Sequence, residues 1–210
     1  LLQSLLSERL HHEVLLENDV NAAALGAVQL TGSQDLAYLS IGTGLAVATI
    51  HAGRLHRGAR NAAGEIGHIP VDPSGPTCEC GQTGCLETLA SGSALAAQWP
   101  STDQPAAQAL FDAAASGDRA AQAVRDRFAA HVAEAVRLIA LTIDPEVVVL
   151  GGGVAHVGER LRAAVATALA TQAVKSPFLT SLALPGRIRL VPDDLPVAAI
   201  GAALLGCRDD

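Results

Sequence analysis

Three of the chain's four cysteines, Cys78, Cys80 and Cys85, lie within a stretch of eight residues. Glycines inside this stretch let the backbone fold around a small centre, and thiolates at such spacing suit zinc. His68, ten residues upstream of Cys78, is the nearest candidate for a fourth ligand. Because four protein ligands would close the coordination shell, the pattern predicts a structural zinc site rather than a catalytic one.

Two alternatives remain open for these cysteines. Disulfide formation competes with metal binding, although three clustered thiols cannot all pair among themselves and the fourth cysteine is distant in sequence. His68 could also be an ordinary hydrogen-bonded loop residue. The fourth ligand would then be His51, His56, Cys207 or water.

Two glutamates, Glu65 and Glu87, stand on either side of the cysteine stretch. A carboxylate is a hydrogen-bond acceptor that suits the hydroxyl groups of a sugar. The alternative is that both are solvated surface acids, as most glutamates are.

Asn18 and Asp19 follow a short apolar segment, residues 12–17, that we predict to be a strand, and they open a predicted helix. Asparagine and aspartate commonly cap helices, which accounts for the pair without any further role. The alternative is a carboxylate held at a strand end, where it could take a proton from a sugar hydroxyl.

Two glycine turns complete the set of candidate residues. Gly42-Thr43-Gly44 lies between two apolar strands, and Gly151-Gly152-Gly153 lies between a buried strand and a helix. Both let backbone N–H groups approach an anion. A hairpin and a tight strand-to-helix turn explain them equally well. Neither fits the Walker pattern or the dinucleotide fingerprint.

The elements that must position these residues alternate between strand and helix, which favours an α/β fold. Helices are predicted at 1–10, 18–31, directly after 85, within 101–118, and over 118–144, 156–174 and 195–206. Strands are predicted at 12–17, on either side of the 42–44 turn, just before 151, and over 187–194. A further turn is predicted at 52–53. Residues 72–85 are expected to be a loop. The long helix should pack through one face, on Val124, Phe128, Val132, Val136 and Ile139.

Composition excludes several classes of function. The formal net charge of −7 argues against a nucleic-acid-binding surface on this chain. No apolar run approaches the ~20 residues of a membrane span. The first ten residues lack the features of a signal peptide, so we expect a cytoplasmic protein. The chain contains no methionine and begins with Leu1, so we expect it to be part of a longer polypeptide.

The motifs "AGEIGH" and "CECGQTGCLE", with "ENDVNAAALGA", "IGTGLA" and "VVVLGGGVA" in order, resemble the ROK family. This family contains bacterial sugar kinases, related open reading frames and transcriptional repressors. The resemblance covers essentially the whole chain. It implies an actin-like, ribonuclease-H-related ATPase fold with a sugar cleft. Residues 1–210 would be the C-terminal lobe, with 1–17 at the edge of a missing N-terminal lobe.

The resemblance also implies a reaction and roles for single residues. An ATP-dependent, Mg²⁺-assisted kinase would phosphorylate the 6-hydroxyl of a hexose, and Asp19 would deprotonate that hydroxyl. Sugar contacts would come from Asn18, Asp19, Glu65, His68 and Glu87. The zinc set would be His68, Cys78, Cys80 and Cys85. The second phosphate turn would contain Thr43 and Gly44, and the turn near the adenosine would contain Gly151, Gly152 and Gly153.

Two departures from the family pattern lead to further expectations. The family's first phosphate loop, Asp-x-Gly-Gly-Thr, does not occur in these 210 residues, so we expect negligible kinase activity from this chain alone. Ala46, Val47 and Ala48 stand where family kinases usually carry more glycines. The alternative function is therefore the sugar-sensing domain of a repressor, with DNA bound by a helix-turn-helix upstream of Leu1. In either case the family implies a dimer or tetramer.

Overall fold

A five-stranded sheet forms the centre of the chain in a computed structural model, which describes residues 2–207. Its strands are β1 (Leu36–Ile41), β2 (Leu45–His51), β3 (Arg54–His56), β4 (Val147–Gly151) and β5 (Ile188–Leu190), in the order β3-β2-β1-β4-β5. β1 pairs antiparallel with β2 and parallel with β4, and β4 pairs parallel with β5. The carboxyl ends of β1 and β4 therefore meet at one edge of the sheet.

Helices cover both faces of this sheet. They are α1 (Leu2–Leu10), α2 (Asp19–Thr31), α3 (Glu87–Ala90), α4 (Gly92–Gln98), α5 (Ala106–Ala115), α6 (Arg119–Ile143), α7 (Glu159–Ala173), α8 (Pro177–Ser181), α9 (Leu184–Arg187) and α10 (Val197–Gly206). Ala37, Leu39 and Ile41 of β1 face the core that contains α5, α6 and α7, whereas Leu36 and Tyr38 face the core around α2. The alternation follows from the two-residue repeat of a strand. Among residues 2–207, no helix combines the length and apolarity needed to cross a bilayer.

Most of the predicted elements are confirmed, and the α/β class with them. On α6, Phe128, Val132, Val136 and Ile139 are buried and Val124 packs against the same core. The predicted strand at 12–17 is wrong, because this segment pairs with no neighbour in the sheet and exposes Leu15 and Leu16. The sequence also gave no signal for α8 and α9. Leu1, at the start of the first predicted helix, lies outside the described residues.

Helix α2 has well-defined ends and a close neighbour. The Asn18 side-chain oxygen accepts the N–H groups of Val20 at 2.9 Å and of Asn21 at 3.2 Å, so Asn18 is the N-cap as expected. Further along, α2 and α10 touch backbone to backbone. A Cβ atom on Gly26 would overlap the carbonyl of Val197, and one on Gly201 would overlap the carbonyl of Ala22.

Candidate functional site

The three clustered cysteines and His68 come together in one group. Their ligand atoms all lie within 4.8 Å of one another; Cys78 Sγ lies 3.6 Å from His68 Nδ1, and Cys80 Sγ lies 3.6 Å from Cys85 Sγ. Sulfur ligands about 2.3 Å from a tetrahedral zinc ion stand about 3.8 Å apart. Both the donor types and their spacing therefore fit zinc.

The alternative ligands lie outside this group. None of the described cysteines is in a disulfide, and the group contains neither His51, His56 nor Cys207. His51 instead contacts Asp35, with its Nδ1 2.7 Å from the carboxylate. Cys207 is exposed at the end of α10.

Short-range contacts shape the loop that carries the cysteines. Residues 70 and 85 form one isolated bridge and residues 77 and 83 another. Gln82, which sequence reasoning missed, donates its side-chain N–H to the His68 carbonyl at 2.9 Å and to Cys80 Sγ at 3.3 Å. Hydrogen bonds, chiefly from Gln82, lower the pKa of the Cys80 thiol to about 6, whereas burial and the neighbouring cysteines raise the pKa of the Cys85 thiol to about 12.

The two glycine turns meet at the edge where β1 and β4 end. Gly152 has φ 81° and lies against the backbone of Ile41, 2.7 Å from where a Cβ atom would stand. No other residue could occupy this position without moving the backbone. Thr43 and Gly153 are exposed, so both turns are open to a ligand.

Asp19 is the first residue of α2, and it is exposed. The pKa of Tyr38 is raised, chiefly by burial and further by the charge of Asp19. A hydrogen bond with the Gly152 backbone acts in the opposite direction. The Tyr38 hydroxyl also lies against Gly151, in the space that a Cβ atom there would need. Tyr38, the chain's single tyrosine, thus contacts the second turn and lies within reach of the charge of Asp19, and no sequence motif had indicated it.

The two glutamates occupy different surroundings. Glu65 is exposed, directly before the 3₁₀ turn Ile66–His68. Glu87 is half-buried, and its Oε2 accepts the backbone N–H of Leu45 at 3.0 Å. The hypothesis of a solvated surface acid therefore does not describe Glu87.

A cavity of about 460 Å³ lies beside the start of α2. Its polar lining consists of Glu17, Asn18, Asn21, Arg57, Asn61 and Glu65. It brings together two of the predicted sugar ligands, Asn18 and Glu65, but Asp19, His68 and Glu87 are not part of its lining. A larger cavity, of about 710 Å³ between α5, α6 and α7, contains no predicted site residue.

Two residues of the cavity lining, Glu17 and Arg57, form an ion pair that sequence reasoning missed. Glu17 Oε2 accepts from Arg57 Nε at 2.8 Å and lies 2.6 Å from a second Arg57 nitrogen, and Oε1 accepts from the Asn21 side chain at 2.8 Å. Burial alone would raise the pKa of Glu17, but these bonds and one from the Asn18 N–H outweigh it and lower the pKa. The pair connects the start of α2 to the segment that leads to Glu65.

Solved structures and curated relatives resemble this chain over most of its length. The glucokinase of Thermotoga maritima is 35% identical over 175 residues, which are 74% of this chain and 55% of that protein. The ROK hexokinase of Thermus thermophilus is 33% identical with a TM-score of 0.79, over 99% of this chain and 71% of that one. A ROK family glucokinase from Streptomyces griseus, solved with glucose and AMPPNP, is 28% identical with a TM-score of 0.78. The match covers 97% of this chain and 71% of that one.

These likenesses confirm the expected fold, an α/β fold of the actin-like ATPase type. The chain spans about half the length of the curated relatives it matches. The model of the ROK family matches residues 2–205, almost the whole of the described chain. The resemblance first carried by the Glu-x-Gly-His and cysteine motifs thus extends from end to end, and the chain belongs to the ROK family.

Proposed function

We propose that this chain provides the sugar site and part of the nucleotide site of an ATP-dependent kinase for a glucose-like hexose. The observation that carries the proposal is the meeting of the two glycine turns at one edge of the sheet, with Tyr38 against the second turn and within reach of the charge of Asp19. Phosphoryl transfer to a hydroxyl requires groups that hold the phosphates together with a carboxylate that can take the proton. The names of the relatives, glucokinase and hexokinase, agree with this chemistry.

The sugar would be held by polar groups around the start of α2. Asn18 and Glu65 line the same cavity, where a sugar hydroxyl can donate to the Glu65 carboxylate and accept from the side-chain NH2 of Asn18, whose oxygen caps the helix. Glu87 uses Oε2 to hold Leu45, which leaves Oε1 for a sugar hydroxyl. His68 would contribute from the 3₁₀ turn between them.

Asp19 would act as the general base. Its carboxylate takes the proton of the sugar 6-hydroxyl as that oxygen attacks the γ-phosphorus, and the bond from this phosphorus to the ADP oxygen breaks. Backbone N–H groups of the 42–44 turn would hold phosphate oxygens, and Gly151 to Gly153 would lie near the adenosine. ATP would bring Mg²⁺ with its phosphates.

His68, Cys78, Cys80 and Cys85 would hold zinc. The ion, when bound, supplies a cross-link that fixes the loop between the two glutamates. The chemistry of transfer belongs to Asp19 and does not pass through the metal.

The test measures sugar-dependent ADP release by the product of the complete gene, including whatever residues flank these 210. Asp19→Asn should lower kcat by about 10²–10⁴-fold, because the amide cannot accept the proton. The cap of α2 and the melting temperature should be unchanged in this variant, because the capping residue is Asn18 and not Asp19. Asp118→Asn, at the cap of α6, is the matched control and should leave kcat unchanged. An Asp19→Asn enzyme within threefold of the wild-type kcat would refute Asp19 as the base.

A second candidate, the sugar-sensing domain of a repressor, is favoured by one observation. Ala46, Val47 and Ala48 occupy β2, where family kinases usually carry more glycines. Sugar binding without ADP release, together with DNA binding that sugar reverses, would support this function instead.

Light scattering on the same sample tests the expected dimer or tetramer.

A further inference from the structure

Leu45, the first residue of β2, is held from two sides by residues of the candidate sugar site. Its N–H donates to Glu87 Oε2 at 3.0 Å. Its carbonyl lies directly against Gly67, where a Cβ atom would overlap it. Gly44, the preceding residue, lies against the same Glu87 carboxylate, and a Cβ atom there would overlap Oε2.

The other end of the 42–44 turn is held by the same part of the chain. The Gly92 N–H, at the start of α4, donates to the Gly42 carbonyl at 2.7 Å. Within the turn, the Gly42 N–H donates to the Gly44 carbonyl at 3.0 Å. Both ends of the turn are therefore attached to residues 87–92, which are distant from it in sequence.

Residues 87–92 follow the metal cluster without a flexible connection. Cys85 is buried, and its carbonyl accepts both the N–H of Thr88, at 2.9 Å, and its hydroxyl, at 2.7 Å. The Leu86 N–H donates to the carbonyl of Ile69, next to His68, at 2.9 Å. A displacement of Cys85 would therefore be transmitted to Glu87, which is two residues away.

We infer that Glu87 is a positioning residue that couples metal binding at His68, Cys78, Cys80 and Cys85 to the geometry of the 42–44 turn. Zinc then orders the candidate phosphate turn as well as the sugar loop. The inference rests on the proposed function only where it calls 42–44 a phosphate turn. The mechanical connection through the Leu45 N–H stands without it.

The test follows single amide protons of this chain by ¹⁵N NMR hydrogen exchange, with zinc and after removal of zinc by EDTA. Without zinc, the amides of Leu45 and Gly92 should exchange at least about tenfold faster, because their acceptors are no longer held. The amide of Leu39, in the centre of β1, is the internal control and should not change. Equal Leu45 exchange in the two states, with zinc binding verified by its stoichiometry, overturns the inference.

Two variants separate positioning by Glu87 from general loosening of the loop. Glu87→Ala should give fast Leu45 exchange even with zinc bound, and chelation should accelerate it no further. Glu87→Gln retains an acceptor oxygen and should restore at least part of the protection. Leu45 protection that persists in a folded Glu87→Ala protein contradicts the inference.

A nucleotide titration distinguishes failure of this inference from failure of the proposed function. In the product of the complete gene, zinc removal should weaken AMPPNP binding at least about fivefold, and Glu87→Ala with zinc bound should do the same. If exchange responds to zinc but no nucleotide binds, the coupling is upheld and the kinase proposal fails. If nucleotide binds equally well with and without zinc, the coupling fails and the kinase proposal survives.

Discussion

The metal loop, residues 70–85, and the two glycine turns belong to one candidate site but are built differently. The turns follow β1 and β4, whose residues are almost all buried, so the sheet sets their positions. The loop has only two isolated bridges and a few turn hydrogen bonds, and its cysteines and His68 converge on a common centre. One half of the candidate site therefore depends on the hydrophobic core, and the other half depends on a set of metal ligands.

The largest expected effect comes from breaking the ligand set. Cys85→Ser should lower zinc affinity at least about a hundredfold, because a hydroxyl is a poor substitute for a buried thiolate. Without the ion, residues 72–85 should lose order while the sheet and helices remain. Zinc titration and far-UV circular dichroism of the variant measure the two parts separately.

Cys207→Ser is the matched control, because Cys207 is exposed and outside the metal group. It should leave zinc affinity unchanged. Complete unfolding of Cys85→Ser, rather than local loss of order, would show that the loop and the sheet do not fold independently.

A smaller effect is expected from the turn that depends on the sheet. Gly152→Ala should lower the free energy of unfolding by about 3 kcal/mol, because the methyl group would meet the Ile41 backbone at a positive φ. The Cβ position of the adjacent Gly153 has open space around it, so Gly153→Ala should change the free energy of unfolding by less than about 1 kcal/mol. Urea denaturation compares the pair, and equal stabilities would contradict the close contact of the two turns.

The smallest effect is expected outside both regions, at the Glu17–Arg57 pair beside the start of α2. Glu17→Gln should lower the free energy of unfolding at pH 7 by about 1 kcal/mol, since the largely buried Glu17 side chain loses its charge-assisted bonds with the more exposed Arg57. The folded-state pKa of Glu17 lies below its usual value of 4.5. The stabilisation is therefore complete above pH 4.5 and disappears as the pH falls through the lower folded-state pKa.

Urea titrations of both proteins between pH 7 and pH 3 check this dependence. The difference between wild type and Glu17→Gln should shrink below pH 4.5. Glu159→Gln, which breaks an exposed i,i+3 pair with Arg162, serves as control and should show a smaller difference at pH 7. A difference for Glu17→Gln that stays constant over this range would show that the charge of Glu17 contributes nothing to stability.

Local chemistry made much of the fold predictable. The cap at Asn18, the stop at Gly32 and the apolar stripe from Phe128 to Ile139 each depend on residues a few positions apart. The metal group was predictable because its four members lie within eighteen residues, from His68 to Cys85. The prediction of a strand at 12–17 was wrong, because an apolar segment becomes a strand only where a neighbouring strand is available.

The contacts that sequence reasoning missed join distant parts of the chain. Glu17 and Arg57 are 40 residues apart, and Leu45 and Glu87 are 42 apart. Tyr38 contacts the second glycine turn only because β1 pairs in parallel with β4. Such pairs follow from the order of the strands, which no short motif specifies.

The backbone contact between α2 and α10 has a consequence for motion. Gly26 and Gly201 leave no side chain between the two helices, so neither can slide or rotate without collision with a carbonyl. Asp19 is the first residue of this fixed helix. A movement of α2, and of Asp19 with it, would therefore have to carry α10 along.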